Sequence, residues 1–158
     1  ESFGTNWRMT EMQGAIGRIQ LKRMKNWQNK RINNANEIWN STKSCKGLNV
    51  PKIPNNIQHA AYKCYIFIKS KELKKGWSRD KILNEINLLD VPCYSGVCSE
   101  VYLEKAFYNT GLKPERRLVN AKKLGQTSLM FLVHPSLTKK EIKKTCDVIT
   151  SVMKMVTK

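Results

Sequence analysis

The chain has 158 residues, of which 41% are hydrophobic and 26% are charged. This composition excludes a collagenous or intrinsically disordered chain, and the length suits one domain with its own core. The 29 basic and 12 acidic residues leave a formal net charge of +17. A charge of that size bears on partners and solubility and carries no information about the fold.

No apolar run approaches the roughly 20 residues of a membrane helix, and the first residues lack the pattern of a secretory signal. We therefore expect a cytoplasmic protein without a membrane partner. The chain opens on Glu1 without an initiator methionine, which suggests a fragment or a processed product. Five scattered cysteines without a Cys-x-x-Cys pair, and only two histidines, predict reduced thiols and no metal site.

The first predicted element is a long helix. Thr10 and Gln13 form a Thr-x-x-Gln capping box, which marks a helix start. The apolar spacing predicts one helix from Thr10 to about Lys43, or two helices bent near Asn33, with Gly47 as the C-terminal cap. The apolar residues at helical spacing in its first half are Met12, Ile16, Ile19, Met24 and Trp27.

The middle of the chain alternates between strands and short helices. The aromatic and β-branched run Ala60–Ile68 predicts a strand, and Ser78 is placed to cap a short helix. A second short strand is predicted over Val91–Tyr94, followed by a loop over Ser95–Glu100. A further short helix is expected over Val101–Tyr108.

The last third of the chain repeats this alternation. A short helix is expected to begin at Pro114 and to end at Gly125, before a strand over Ser128–Val133. A second capping box at Thr138 opens a helix that runs to the end. This order predicts an α/β sandwich of the α+β type in which helices cover one side of a small sheet.

The segment before the long helix carries two polar side chains at alternating positions. In an extended segment, Asn6 and Arg8 lie on the same side, just outside a helix N-terminus. An amide and a guanidinium at that place suit an anion clamp. The alternative is a surface loop with a helix cap.

One face of the long helix is basic. Arg18, Lys22 and Lys25 recur at i, i+4 and i+7 and could meet the phosphates of a nucleic acid. The alternative is a solvated face, or a face that meets another, acidic domain. Since the other lysine pairs are dispersed along the chain, we expect no nucleic-acid partner and keep a basic nucleic-acid-binding module only as the alternative function.

The run Gly4–Gln13 resembles the Gly-x-Asn-x-Arg-Met-x-Glu-x-Gln segment of the DegT/StrS family, sugar aminotransferases that use pyridoxal phosphate on a type I fold. The resemblance extends over essentially the whole chain. Further similar stretches are Ala15–Leu21, Arg31–Ala35, Gly47–Pro51, His59–Tyr65, Ser78–Asp80 and Leu129–Thr138.

The resemblance implies that residues 1–158 form the small C-terminal domain, with residues 1–9 as its lead-in. Its fold would be a long N-terminal helix and a small, mostly antiparallel sheet packed with helices. The large cofactor domain and the Schiff-base lysine would lie upstream. We therefore expect no catalytic residue, no bound pyridoxal phosphate and no activity in this chain alone.

The implied parent enzyme is a homodimer with active sites at the dimer interface. It would transfer an amino group, usually from glutamate, to a keto sugar linked to a nucleotide, for the biosynthesis of polysaccharides, glycans or antibiotic sugars. A non-catalytic relative of the family is the remaining alternative. The upstream lysine would decide between them.

The family pattern also assigns site residues. Asn6 would reach the cofactor phosphate of the neighbouring subunit, and Arg8 would face the same active site. His59, Tyr94 and Ser95 are the candidates for substrate contact. Cys93 stands where many family members carry histidine, which leaves the sugar specificity open.

Overall fold

The computed structural model describes residues 7–158. Its first element, α1, is one continuous helix over Glu11–Thr42, so the alternative of two helices bent near Asn33 is wrong. The predicted capping box is confirmed. The Gln13 N–H donates to Thr10 Oγ1 at 3.3 Å, and the Thr10 N–H donates to Gln13 Oε1 at 2.9 Å.

Gly47 does not cap α1, whose C-terminal cap is Lys43 with helical backbone angles. Instead Gly47 has a φ of +80° and turns the chain into a short strand that was not predicted. Two residues are too few for an alternating pattern, so this strand left no signal in the sequence.

The sheet has four strands, and every neighbouring pair is antiparallel, in agreement with the implied fold. The order across the sheet is β1-β2-β4-β3. The strands are β1 (Leu48–Asn49), β2 (Cys64–Ile68), β3 (Cys93–Tyr94) and β4 (Ser128–Phe131).

The strands are shorter than predicted. β2 begins at Cys64 and not at Ala60, because Ala61 has a φ of +47° and its N–H donates to His59 Nδ1 at 3.0 Å. Positive φ is incompatible with a strand. Only the last two residues of the predicted Val91–Tyr94 strand pair with β4.

One face of the sheet forms the core. Its residues meet across the strands, since Phe131 of β4 lies between Cys64 and Cys93, and Ile66 lies beside Leu129. Three helices cover this face: α1, α2 (Arg79–Leu88) and α4 (Lys139–Val156). The predicted apolar stripe of α4 is buried: Ile142, Cys146, Ile149, Met153 and Val156.

The opposite face, here called the outer sheet face, carries the alternate residues of the same strands. Tyr65 and Phe67 stack there, with ring centroids 6.5 Å apart. The loop after β3 and the helix α3 (Val119–Thr127) partly cover it. Its six residues are Asn49, Tyr65, Phe67, Tyr94, Ser128 and Met130.

Two helix predictions need correction. The segment over Val101–Tyr108 forms two 3-10 turns, because Glu104 has an extended backbone that interrupts it. α3 begins at Val119, five residues after Pro114, and it runs past Gly125 to Thr127. A glycine inside a helix costs up to about 1 kcal/mol relative to alanine, and here a close neighbour, described below, requires it.

The first half of α1 extends from the core. Of the predicted apolar residues there, Met12, Ile16 and Ile19 are 77%, 58% and 51% exposed. The buried residues of α1 all lie in its second half: Ala35, Ile38, Trp39 and Thr42. Within residues 7–158, no helix is both long and apolar enough to span a membrane.

Candidate functional site

Arg8 lies in the non-helical segment directly before α1, and its side chain is exposed. A guanidinium there, beside the positive end of a helix dipole, suits an anionic group such as a phosphate. Asn6 lies outside the described residues. The predicted anion clamp therefore stays a prediction, and the charge and exposure of Arg8 are compatible with it.

Tyr94 lies on the outer sheet face. In the register, Met130 of β4 pairs with Tyr65 on one side and with Tyr94 on the other, so the three form one row. Met130 is 6% exposed, whereas Tyr94 is 48% exposed. In this row, the buried side chain of Met130 thus lies beside the solvent-exposed side chain of Tyr94.

Ser95 begins the segment that we call the anchored loop, residues 95–100. Its carbonyl oxygen accepts a hydrogen bond from Ser128 Oγ at 2.6 Å, and Ser128 is buried. This bond fixes the exit of β3 against the first residue of β4. The structure therefore brings the predicted Tyr94 and Ser95 together at one edge of the outer sheet face.

Two glycines allow the anchored loop to lie close to its neighbours. Gly96 has a φ of +95°, and a Cβ built on it would lie 2.7 Å from Tyr65 Cε1. A Cβ on Gly125 of α3 would overlap Ser99 Oγ and lie 3.3 Å from Ser99 Cβ. The loop is thus held between the Tyr65 ring and α3.

The end of the anchored loop is fixed by Glu100. Its Oε1 accepts from Tyr102 OH at 2.6 Å and from Arg117 Nε at 2.9 Å, and its Oε2 accepts from Arg117 Nη2 at 2.5 Å. The hydrogen bonds from Arg117, and then that from Tyr102, lower the pKa of Glu100 to about 2. Sequence reasoning missed this group, because 17 residues separate Arg117 from Glu100 and no motif joins them.

His59 lies elsewhere. Its ring packs edge-on against Trp39 of α1 at a centroid distance of 6.1 Å, and its Nδ1 accepts the Ala61 N–H. Both contacts fix the path of the chain just before β2. The contacts of His59 are thus with α1 and the start of β2, and those of Tyr94 are with β4; substrate contact by His59 stays a prediction.

Cys93 of β3 points into the core, where it lies opposite Phe131. Burial raises the pKa of its thiol to about 12, which makes it a poor nucleophile at neutral pH. Among residues 7–158, no three His, Cys, Asp or Glu side chains are grouped so that they could hold a metal ion.

The three predicted basic residues of α1, Arg18, Lys22 and Lys25, are all exposed. Exposure is compatible with a solvated face and equally with a face that meets phosphates, so the choice between them stays a prediction. A groove of about 1020 Å³ lies elsewhere, between α3 and the outer sheet face, with Phe67 and Leu124 among its apolar walls. This groove was not predicted, because it depends on how α3 packs.

Sequence comparison places the chain among aminotransferases. It matches the model of the DegT/DnrJ/EryC1/StrS aminotransferase family over residues 1–150. No curated protein sequence matches the chain.

Solved structures share the whole fold. An aminotransferase from Psychrobacter cryohalolentis is 55% identical, with a TM-score of 0.91 over 99% of this chain and 42% of that one. PseC of Helicobacter pylori, an aminotransferase involved in the biosynthesis of pseudoaminic acid, is 17% identical, with a TM-score of 0.80 over 98% and 40%. The E. coli GDP-4-keto-6-deoxy-D-mannose-3-dehydratase, solved with bound hydrated PLP, is 22% identical, with a TM-score of 0.69 over 92% and 36%. The chain thus spans about two fifths of the length of these proteins.

Proposed function

Because this chain belongs to the DegT/DnrJ/EryC1/StrS aminotransferase family, we propose that it is the small C-terminal domain of a sugar aminotransferase that uses pyridoxal phosphate. The observation that carries the proposal is the family match over nearly the whole chain. The enzyme would transfer an amino group from a donor such as glutamate to a keto group on a nucleotide-linked sugar.

In this proposal the segment before α1 belongs to the cofactor site of the neighbouring subunit in a homodimer. The exposed guanidinium of Arg8 and the amide of Asn6 hold the cofactor phosphate through charge and hydrogen bonding. When bound, pyridoxal phosphate supplies the electron sink for amino transfer. The contribution of this chain is therefore to bind and orient the cofactor.

The substrate side of the proposal rests on Tyr94 and Ser95. The phenol and the hydroxyl are exposed polar groups on a fixed edge of the sheet, which suits recognition of sugar hydroxyls. Since no lysine of this chain stands in the family's Schiff-base context, the large domain would supply the catalytic lysine. The chain alone would then be inactive.

The test uses the longer polypeptide that carries this chain. Purified with pyridoxal phosphate, it should aminate a nucleotide-linked keto sugar with glutamate as donor, and borohydride should fix the cofactor to a lysine upstream of residue 1. Arg8→Ala should weaken cofactor binding by about 10-fold, the effect of a lost charge-assisted contact of about 1.4 kcal/mol.

Arg18→Ala is the matched control, since Arg18 is an exposed arginine ten residues further along, inside α1. It should leave the cofactor dissociation constant unchanged. A polypeptide without such a lysine, or one without turnover on any keto sugar, would overturn the proposed function. Equal weakening by both variants would remove Arg8 from the cofactor site.

A further inference from the structure

We propose that Arg117 and Glu100 form a latch that positions the anchored loop, and with it Tyr94 and Ser95, for the keto sugar. The inference rests on the proposed function and adds to it a positioning residue, Arg117, that lies outside every motif of the sequence. Arg117 touches Glu100 and acts on the substrate only through the loop.

Two sets of contacts join the anchored loop to α3, one through the latch and one near the end of α3. Glu100 binds Arg117, and Tyr102 OH, which donates to Glu100, accepts the Leu118 N–H at 2.9 Å. α3 starts at the next residue. Six residues further on, Gly125 packs against Ser99, directly before Glu100. The loop and α3 are therefore fixed to each other at both ends of α3.

The latch fixes the orientation of the loop more than it stabilises the whole fold. The Arg117 side chain is 52% exposed and that of Glu100 is 12% exposed. The pair is half exposed on the arginine side, so solvent screens it and reduces its contribution to folding free energy, whereas a two-point guanidinium–carboxylate contact fixes orientation. Loss of the latch should therefore displace the loop without unfolding the domain.

The contacts of the anchored loop hold its exposed residues in place. Val97 is 69% exposed at its tip, although the loop is anchored at Ser95, Gly96, Ser99 and Glu100. Binding residues are often carried on loops that a rigid scaffold holds in position. Tyr94 directly precedes this loop, so the phenol and the tip can be presented to one ligand.

The experiment compares Arg117→Met with Arg116→Met, a matched loss of an exposed arginine at the neighbouring position. In the 158-residue chain, amide hydrogen exchange at Leu103 and Leu118, whose N–H groups donate to Glu100 O and Tyr102 OH, should accelerate at least about 10-fold in Arg117→Met and stay unchanged in Arg116→Met. Arg117→Lys, which keeps the charge and loses the two-point contact, should give an intermediate rate.

The same variants are then placed in the full-length aminotransferase. Arg117→Met should raise the KM for the sugar about 10- to 100-fold through misplacement of the loop. The half-reaction with the amino donor, followed by the cofactor's absorbance, should keep its rate. That split separates positioning of the sugar from general damage to the enzyme.

A pair of variants tests the second contact, between Gly125 of α3 and Ser99 of the loop. Gly125→Ala should also accelerate exchange at the Leu103 and Leu118 amides, and Ser99→Gly in the same chain should restore the slower rate, because it removes the overlapping atoms. Unchanged exchange in Arg117→Met would overturn the latch, whatever the activity of the enzyme. Faster exchange without a change in sugar KM would overturn its positioning role, whereas absence of all turnover in the unmodified enzyme would refute only the proposed function.

Discussion

Replacement of Gly47 by alanine should be among the most damaging small changes in this domain. The first cost is conformational, since a φ of +80° disfavours any residue with a Cβ by roughly 1–2 kcal/mol. The second cost is steric. The new Cβ would lie 2.5 Å from Thr157 Cγ2 and 3.0 Å from Met153 Cε, and both side chains are buried. Overpacking of this kind costs about 1–3 kcal/mol, so the total is about 2–5 kcal/mol.

Gly76 provides the matched control. Its φ is +88°, and a Cβ on it meets no heavy atom within 4 Å, so Gly76→Ala should lose only the conformational component. Urea unfolding with an unchanged m value measures both losses. Thr157→Ser in the Gly47→Ala chain removes the clashing methyl and should recover part of the second cost. Equal destabilisation by the two alanine variants would refute the steric argument.

Three further predictions concern single side chains. Thr138→Ala removes the cap of α4 and should lower the free energy of unfolding by about 1 kcal/mol in urea titrations. The pKa of Glu100 is lowered from 4.5 to about 2, so its pairing with Arg117 should persist above pH 4.5 and be lost as the pH falls toward 2, as seen by NMR of the loop amides. With a thiol reagent at pH 8, exposed Cys98 should react within minutes, whereas buried Cys93, with its pKa raised to about 12, should react only on unfolding.

Each of these has a simple check. Thr145→Ala removes a threonine hydroxyl from the interior of α4, where it caps nothing. It should be less destabilising than Thr138→Ala, and equal losses would contradict the capping argument. A midpoint of the loop shifts near pH 4.5 would show that Arg117 does not perturb Glu100. Rapid labelling that persists in the double variant Cys45→Ser, Cys98→Ser would show that a buried thiol is accessible, since Cys45 is only half-buried.

Local signals predicted the starts of the capped helices well. Both capping boxes, at Thr10 and Thr138, are confirmed, because a cap is decided by residues three positions apart. Gly125 misled the prediction for the opposite reason. It looked like a helix end, but it lies inside α3 because Ser99, distant in sequence, occupies the space of its missing Cβ.

The candidate site was predictable only in part. Tyr94 and Ser95 were predicted through their likeness to a family pattern, and the structure places these sequence neighbours at one sheet edge; substrate contact by them stays a prediction. The latch could not be found, because a contact between Glu100 and Arg117 depends on the path of the intervening turns. The apolar spacing of α1 gave the helix correctly and gave no sign that Ile16 would face solvent.

The exposed apolar half of α1 makes colloidal behaviour depend on ionic strength. Met12, Ile16 and Ile19 would favour association of separate molecules, and the net charge of +17 opposes it by mutual repulsion. The range of that repulsion falls from roughly 30 Å at 0.01 M salt to about 3 Å at 1 M. Dilute buffers should therefore keep this domain dispersed, whereas concentrated salt should drive it into reversible oligomers.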